Sequence, residues 1–97
     1  MMSGVLLSPA AQADLDGIWD YTVERWGQEQ AVTYIRSIRD ACQELATGQR
    51  ASRPVGIRHG YRKAPVGSHM LFFRTTDTGE IAIIRILHRR MDVDRHL

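Results

Sequence analysis

The side chains best suited to chemistry in this 97-residue chain are basic, and they are concentrated in its second half. Residues 49–97 hold ten of the thirteen lysines and arginines and all four histidines. Arginine binds phosphates and carboxylates, and histidine transfers protons near neutral pH. Three neighbouring predicted strands carry Arg58, Arg62, Arg74, Arg85, His69 and His88. We predict a cationic groove on the sheet's helix-free face, able to hold phosphates, assist phosphodiester cleavage, or seat an acidic peptide with an apolar stripe.

Charge is divided along the chain, although its net value is only +2. Residues 1–48 have a net charge of −4 and residues 49–97 one of +6. This division favours an acidic or polyanionic partner for the second half. The alternative, which charge alone leaves open, is that the arginines only keep the strands solvated. A net charge of +2 is low for a dedicated nucleic-acid-binding protein, so we expect no sequence-specific binding of nucleic acid.

Other kinds of site are weakly indicated. Asp92, Asp94 and His96 are spaced by two, but no further ligand lies near them, so we predict neither a metal site nor a cofactor. The sequence has no glycine-rich phosphate loop followed by Lys-Ser/Thr. Ser68 and His69 are neighbours in sequence, but adjacent side chains in a strand point to opposite faces, so they cannot form a catalytic dyad there.

Two helices and several strands must position these side chains. Val5-Leu6-Leu7 form a short apolar run, after which Ser8 is suited to cap a helix and Pro9 to begin it. Gly27 and Gly48 are suited to end the two helices. Apolar residues recur at helical spacing between these points: Leu15, Ile18, Trp19, Thr22 and Trp26, then Ala31, Ile35, Ile38, Cys42 and Leu45. We expect Trp19, Trp26 and Tyr34 in the core and Cys42 to be a buried apolar side chain.

The second half is typical of an antiparallel meander. We predict a loop at 49–56, strands at 57–63, 69–75 and 80–88, and turns at 65–67 and 77–79. The element order is therefore β-α-α-β-β-β, with the first strand at an edge. This order predicts an α+β, two-layer fold in which a helical hairpin packs on a small, mainly antiparallel sheet.

Length and composition favour one domain spanning 1–97, with 43% hydrophobic and 25% charged residues. These values exclude a disordered or membrane-spanning chain. The single cysteine cannot form an internal disulfide, and the start MMSGVLLSPAAQADL lacks a signal peptide's basic and apolar regions. We therefore expect a cytoplasmic protein that does not bind membranes.

Several short motifs occur in a fixed order between Leu7 and Leu97. They are Leu7-Ser8-Pro9-Ala10 before Asp14-Leu15, then Trp26-Gly27, Gly67-Ser68-His69, Arg85-Ile86-Leu87-His88, Arg90-Met91-Asp92 and His96-Leu97. In these motifs and in its element order, the chain resembles the ParE branch of the RelE/ParE superfamily of bacterial type II toxin–antitoxin systems.

This resemblance implies a toxin that arrests growth by binding and poisoning DNA gyrase, trapping it on cleaved DNA without catalysing a reaction itself. It also implies a ParD-type antitoxin that neutralises the toxin in a hetero-oligomeric complex. The candidate residues for binding target or antitoxin, which the sequence does not divide between the two, are Arg58, Arg62, Lys63, His69, Arg74, Arg85, His88, Arg89, Arg90, Met91, Asp92, Arg95 and Leu97.

Two other functions remain open at this point. The RelE and YoeB branches are ribosome-dependent mRNA endoribonucleases, and in such an enzyme Arg62, Arg85 and His88 would be the catalytic candidates. The chain departs from their pattern, because arginine rather than tyrosine follows His88 and Lys63 is the only lysine. The third possibility is a non-toxic relative that acts only as a binding module.

Overall fold

Two helices pack against one face of a five-stranded sheet in a computed structural model that describes residues 4–91 and 95–97. The sheet order is β1-β5-β4-β3-β2, with β1 parallel to β5 and every other pair antiparallel. The predicted α+β, two-layer fold and the edge position of the first strand are thereby confirmed. The elements are β1 (Val5–Leu7), α1 (Pro9–Trp26), α2 (Gln28–Ala46), β2 (Arg53–Pro54), β3 (Arg62–Val66), β4 (His69–Thr75) and β5 (Ile81–His88).

The helix ends follow the local signals in the sequence. The Ser8 hydroxyl accepts a hydrogen bond from the Ala11 N–H at 3.0 Å and donates one to the Ile84 carbonyl at 2.7 Å. Ser8 therefore caps α1 and also ties its first turn to β5. Gly27 separates the helices with a φ of 93°, a left-handed conformation that favours glycine. Among the described residues, no helix is long and apolar enough to cross a bilayer.

The main core lies between the helices and the sheet. Its most buried members include Ile38 and Cys42 from α2 and Leu71 and Ile83 from the sheet. Cys42 is 1% exposed, and burial raises the pKa of its thiol to about 11. The prediction that Cys42 is a buried apolar side chain is therefore confirmed.

The third quarter of the chain differs from the prediction. The strand expected at 57–63 is wrong over its first five residues: residues 57–60 form turns and a bend, and β3 begins at Arg62. The turn expected at 65–67 is also misplaced, because Pro65 and Val66 continue β3 and only two residues separate β3 from β4. Pro65 is tolerated at this position because of the side its backbone faces. Its carbonyl accepts a hydrogen bond from Arg50 and so faces away from β4. The nitrogen of a strand residue faces the same side as its carbonyl, so the missing Pro65 N–H costs no hydrogen bond to β4.

Candidate binding site

Arg85 is held by a carboxylate on α1. Its Nε and Nη2 donate to the two carboxylate oxygens of Asp14 at 2.7 and 2.8 Å. The Asp14 carboxylate also accepts from the Ile86 backbone N–H at 2.9 Å. These bonds raise the pKa of Arg85 above its ordinary value. The expectation that Arg85 lies in an open cationic groove is wrong, because its guanidinium already has a bidentate partner.

The short first strand explains this arrangement. β1 pairs with β5 only at Ile81–Ile83, so the rest of that edge of β5 lacks a neighbouring strand. The first half of α1 passes beside this edge, and Asp14 there satisfies the Ile86 N–H that another strand residue would otherwise bond. Asp14 thus completes the sheet edge and neutralises Arg85.

His69 lies on the helix side of the sheet, not on its helix-free face. Its Nδ1 is 2.7 Å from the Tyr34 hydroxyl of α2, and its ring meets that of His88 edge-on with centroids 5.5 Å apart. Burial, and secondarily the neighbouring His88, lower the pKa of His69 below its ordinary 6.5, although Asp14 acts in the opposite direction. His69 is therefore largely uncharged at neutral pH.

Tyr34 fixes the turn that presents these histidines. Its hydroxyl accepts from the Ser68 N–H at 3.0 Å and lies against Gly67, where an added Cβ would be 2.6 Å from the Tyr34 ring. Gly67 has a φ of 55° at the first position of a two-residue hairpin turn, as a type II′ turn requires. The sequence predicts Tyr34 only as a core residue. The signal for its contact with the turn is the Gly67-Ser68 pair itself, because a turn N–H there needs an acceptor.

The helix-free face is largely apolar at its centre. Val55, Phe72 and Leu87 are buried there, with Tyr61, Met70 and Leu97 packed around them. Of the predicted groove residues, Arg74 and Arg85 share the Phe72 side of their strands, together with Lys63. Lys63 and Arg85 lie directly opposite Phe72, but the Arg85 guanidinium pairs with Asp14 on α1. The prediction of one cationic groove on this face is therefore wrong for Arg62, His69 and His88, whose rows lie on the helix side with Phe73 and Val66, and the centre of the helix-free face is apolar.

Two further arginines are held locally. Arg62 donates from Nε and Nη2 to the hydroxyl and carbonyl of Ser52, at 2.8 and 2.9 Å. Arg58 lies over the Tyr61 ring and donates to the Leu97 carbonyl. Both guanidinium groups thus support the chain segments that flank β3.

The three residues considered for nuclease activity are dispersed. Arg62 lies in the strand row of Phe73 and Ile83, whereas His88 lies in the row of Val66 and His69. Four residues of strand separate these rows, about 13 Å at 3.3 Å per residue. Since Arg85 is also paired with Asp14, this set does not converge on a common reacting atom.

A groove runs between α1 and the end of β5, with a volume of about 860 Å³. Apolar and aromatic side chains at its rim are exposed to solvent: Tyr21 at 60%, Trp26 at 67% and Met91 at 42%. Arg25 lies over the Tyr21 ring, 5.9 Å from its centroid. Trp26 was expected in the core; it is the last residue of α1, and among the described residues no element covers it. We call this the α1 groove.

A smaller recess of about 450 Å³ lies beside it, lined by Gly67, Ser68, His88, Arg89 and Arg90. The side chains of His88, Arg89 and Arg90 are exposed. We call this the arginine recess. It shares Ser68 and His88 with the α1 groove, so the two cavities adjoin at the end of β5.

The remaining candidates lie near the end of the chain. Arg95 is exposed and Leu97 half-buried, whereas Asp92 and Asp94 lie outside the described residues. Within residues 4–91 and 95–97, no group of three or more His, Cys, Asp or Glu side chains could hold a metal ion.

Comparison with known proteins defines the class to which the chain belongs, the toxins of type II toxin–antitoxin systems. A model of the family "ParE toxin of type II toxin-antitoxin system, parDE" matches residues 5–93, and the chain belongs to this family.

Curated relatives and a solved structure agree with this membership. Toxin ParE1 of Mycobacterium tuberculosis is 52% identical over the full length of both chains, and Toxin ParE1 of Caulobacter vibrioides is 40% identical over 94% of each. A chain in the structure of the chromosomal ParDE TA system from P. aeruginosa superposes with a TM-score of 0.75 at 30% identity, covering 90% of this chain and 96% of that one.

Proposed function

We propose that this toxin arrests growth by binding DNA gyrase and trapping it on cleaved DNA, and that a ParD-type antitoxin neutralises it. The observation that carries this proposal is the division of the basic residues. Arg62 and Arg85, two of the three nuclease candidates, are engaged by Ser52 and Asp14, while exposed cations and apolar side chains meet at the end of β5. Such a surface is suited to docking on a large partner rather than to acid–base catalysis.

The target surface in this proposal is the end of β5 and the residues that follow it. His88, Arg89 and Arg90 are exposed there, and Met91 supplies an apolar anchor. Because gyrase acts on chromosomal DNA, the toxin would work in the cytoplasm.

The α1 groove is the antitoxin site in this proposal. Its exposed Tyr21 and Trp26 offer large apolar area, and Arg25 at its rim would attract acidic groups. An amphipathic antitoxin segment that folds on binding would cover this apolar surface and give a hetero-oligomeric complex.

Purified protein added to gyrase supercoiling and DNA-cleavage reactions tests the target. We expect loss of supercoiling and accumulation of cleaved DNA, with no cut mRNA in a parallel translation reaction. Cleavage of mRNA without an effect on gyrase would overturn the proposal.

Trp26→Ala tests the antitoxin site. We expect it to weaken antitoxin binding by at least about tenfold, since a buried interface tryptophan contributes strongly to affinity, and to leave gyrase poisoning intact. Val32→Ala is a matched control because Val32 is an exposed apolar residue on α2 outside the groove lining. Equal antitoxin affinity for both variants would show that the antitoxin binds elsewhere.

A further inference from the structure

The arginine recess contains positive charge that no described carboxylate neutralises. Within residues 4–91 and 95–97, Asp14 and Glu44 form ion pairs with Arg85 and Arg50, whereas neither Arg89 nor Arg90 has a carboxylate partner. We propose that this recess binds a backbone phosphate of DNA without reading its sequence. The inference rests on the proposed function, since the DNA would be the strand that gyrase holds.

The backbone of the recess is fixed in place. The Arg89 N–H donates to the Ser68 carbonyl at 2.9 Å, which joins the end of β5 to the β3–β4 turn. The Met91 N–H donates to the His88 carbonyl at 2.9 Å and closes the next turn. Tyr34 holds the Ser68 N–H from the other side. Two consecutive arginines therefore extend from an anchored backbone, which reduces the entropy lost when they bind an anion.

His88 adds a hydrogen-bond donor of defined position. Its Nδ1 accepts from the Arg90 N–H at 3.2 Å, so in the neutral ring the proton resides on Nε2. The recess can thus offer two guanidinium groups and one ring N–H. This donor set suits the two unesterified oxygens of a phosphodiester, which accept bonds and provide none.

The chemistry favours phosphate over a long acidic peptide. The recess has a volume of about 450 Å³ and is mainly polar, whereas the exposed aromatic side chains that an amphipathic peptide needs line the neighbouring α1 groove. A contact with one or two phosphates is also consistent with a net charge of only +2, since it would supplement binding to gyrase rather than replace it.

Fluorescence anisotropy of a labelled DNA duplex with the purified full-length toxin tests the inference. Arg89→Ala/Arg90→Ala should bind about tenfold more weakly at low salt, and its dependence of log affinity on log salt should be shallower by about 1–2. The matched control is Arg36→Ala/Arg39→Ala, which removes the same charge from exposed positions on α2 and should stay within about twofold of the unsubstituted toxin. Equal losses in both variants, or none in the first, would overturn the inference.

Binding of an acidic antitoxin-derived peptide distinguishes the two possible ligands of the recess, a carboxylate and a DNA phosphate. If Arg89→Ala/Arg90→Ala lost affinity for this peptide but kept its affinity for DNA, the recess would bind carboxylates and the inference would be wrong. Thermal unfolding of both double variants, expected to match the unsubstituted protein because these side chains are exposed, establishes that the losses are local.

The gyrase cleavage reaction distinguishes failure of this inference from failure of the proposed function. If the unsubstituted toxin accumulates cleaved DNA and Arg89→Ala/Arg90→Ala does so equally, with unchanged DNA affinity, the phosphate site fails. Gyrase then stands as the target, but Arg89 and Arg90 are removed from the proposed target surface. If the unsubstituted toxin does not act on gyrase, the proposed function fails. DNA held by gyrase is then excluded as the ligand of the arginine recess.

Discussion

Arginine has opposite roles within β5 and just beyond its end. Arg85, in the strand, donates from Nε and Nη2 to Asp14, and the same carboxylate accepts from the adjacent Ile86 N–H. Arg89 and Arg90, just beyond the strand, lack a carboxylate partner within residues 4–91 and 95–97. The same side chain is therefore structural where a helix passes beside the strand and available for binding where the strand leaves the sheet.

The difference depends on which segment lies alongside the strand. α1 begins directly after β1 and brings Asp14 to the open edge of β5. At the end of β5, the neighbouring segment is the Gly67-Ser68 turn, which offers backbone groups and no acidic side chain. Positive charge is consequently neutralised within the strand and retained just beyond it.

Removing Asp14 should give the largest effect on stability. In Asp14→Ala, the partly buried Arg85 loses its counter-ion and the Ile86 N–H its acceptor, so we expect the free energy of unfolding to fall by about 2–3 kcal/mol. Urea denaturation measures this loss. Asp20→Ala, an exposed carboxylate on the same helix, should change stability by less than about 0.5 kcal/mol. Equal stability of the two variants would mean that the Asp14–Arg85 pair does not stabilise the fold.

Gly67→Ala should disturb the open end of β5. A Cβ there meets the Tyr34 ring at 2.6 Å in a left-handed backbone conformation, so we expect a loss of about 2 kcal/mol. Gly79→Ala is the control: its φ is 87°, but a Cβ would meet nothing within 4 Å, so only the backbone cost of about 1 kcal/mol applies. A difference between the two midpoints in thermal unfolding reports the Tyr34 contact; identical midpoints would contradict it.

The lowered pKa of His69 predicts how stability depends on pH. Because the pKa of His69 is lower in the folded protein than in the unfolded chain, the unfolded chain binds more protons. The stability present above about pH 6.5 should therefore decline as the pH falls through that value and the lowered folded-state pKa. His69→Gln should flatten this part of the profile relative to His59→Gln, measured by urea denaturation from pH 8 to 5. Parallel profiles would show that His69 is not responsible.

The smallest effect should come from the ion pair Glu44–Arg50, whose side chains are 42% and 31% exposed and whose N–O distance is 2.9 Å. Glu44→Ala should cost under about 0.5 kcal/mol, because solvent screens both groups. Urea denaturation at low and high salt measures the free energy of unfolding of Glu44→Ala and Asp14→Ala. Equal losses in the two variants would contradict the expectation that the more buried pair, Asp14–Arg85, contributes more to stability.

The helices could be predicted because their signals are local. Ser8, Pro9 and Gly27 mark ends that depend on neighbouring backbone groups, and the apolar spacing identifies the buried faces. The bounds of β3 could not be predicted in this way. Whether Pro65 can lie inside a strand depends on which side its nitrogen faces and on where β2 ends, and both are properties of the assembled sheet.

The site was predictable in composition but not in arrangement. The sequence indicated that the residues at the end of β5 bind a partner, and they do line exposed cavities. It did not show that Arg85 is paired with a residue 71 positions earlier, since nothing local connects the two. It also placed His69 on the wrong face, because the contact with Tyr34 depends on how α2 crosses the sheet.

The parallel pairing of β1 with β5 has a consequence for the order of folding. Val5 pairs with Ile81, so nearly the whole chain separates two strands that must meet, whereas β4 and β5 are joined by a short hairpin. Closing a long loop costs more entropy than closing a hairpin, so the hairpin should form before β1 docks. We expect folding φ-values near zero at Val5 and higher values in the β4–β5 hairpin. On this route Asp14 reaches Arg85 only in the last steps of folding.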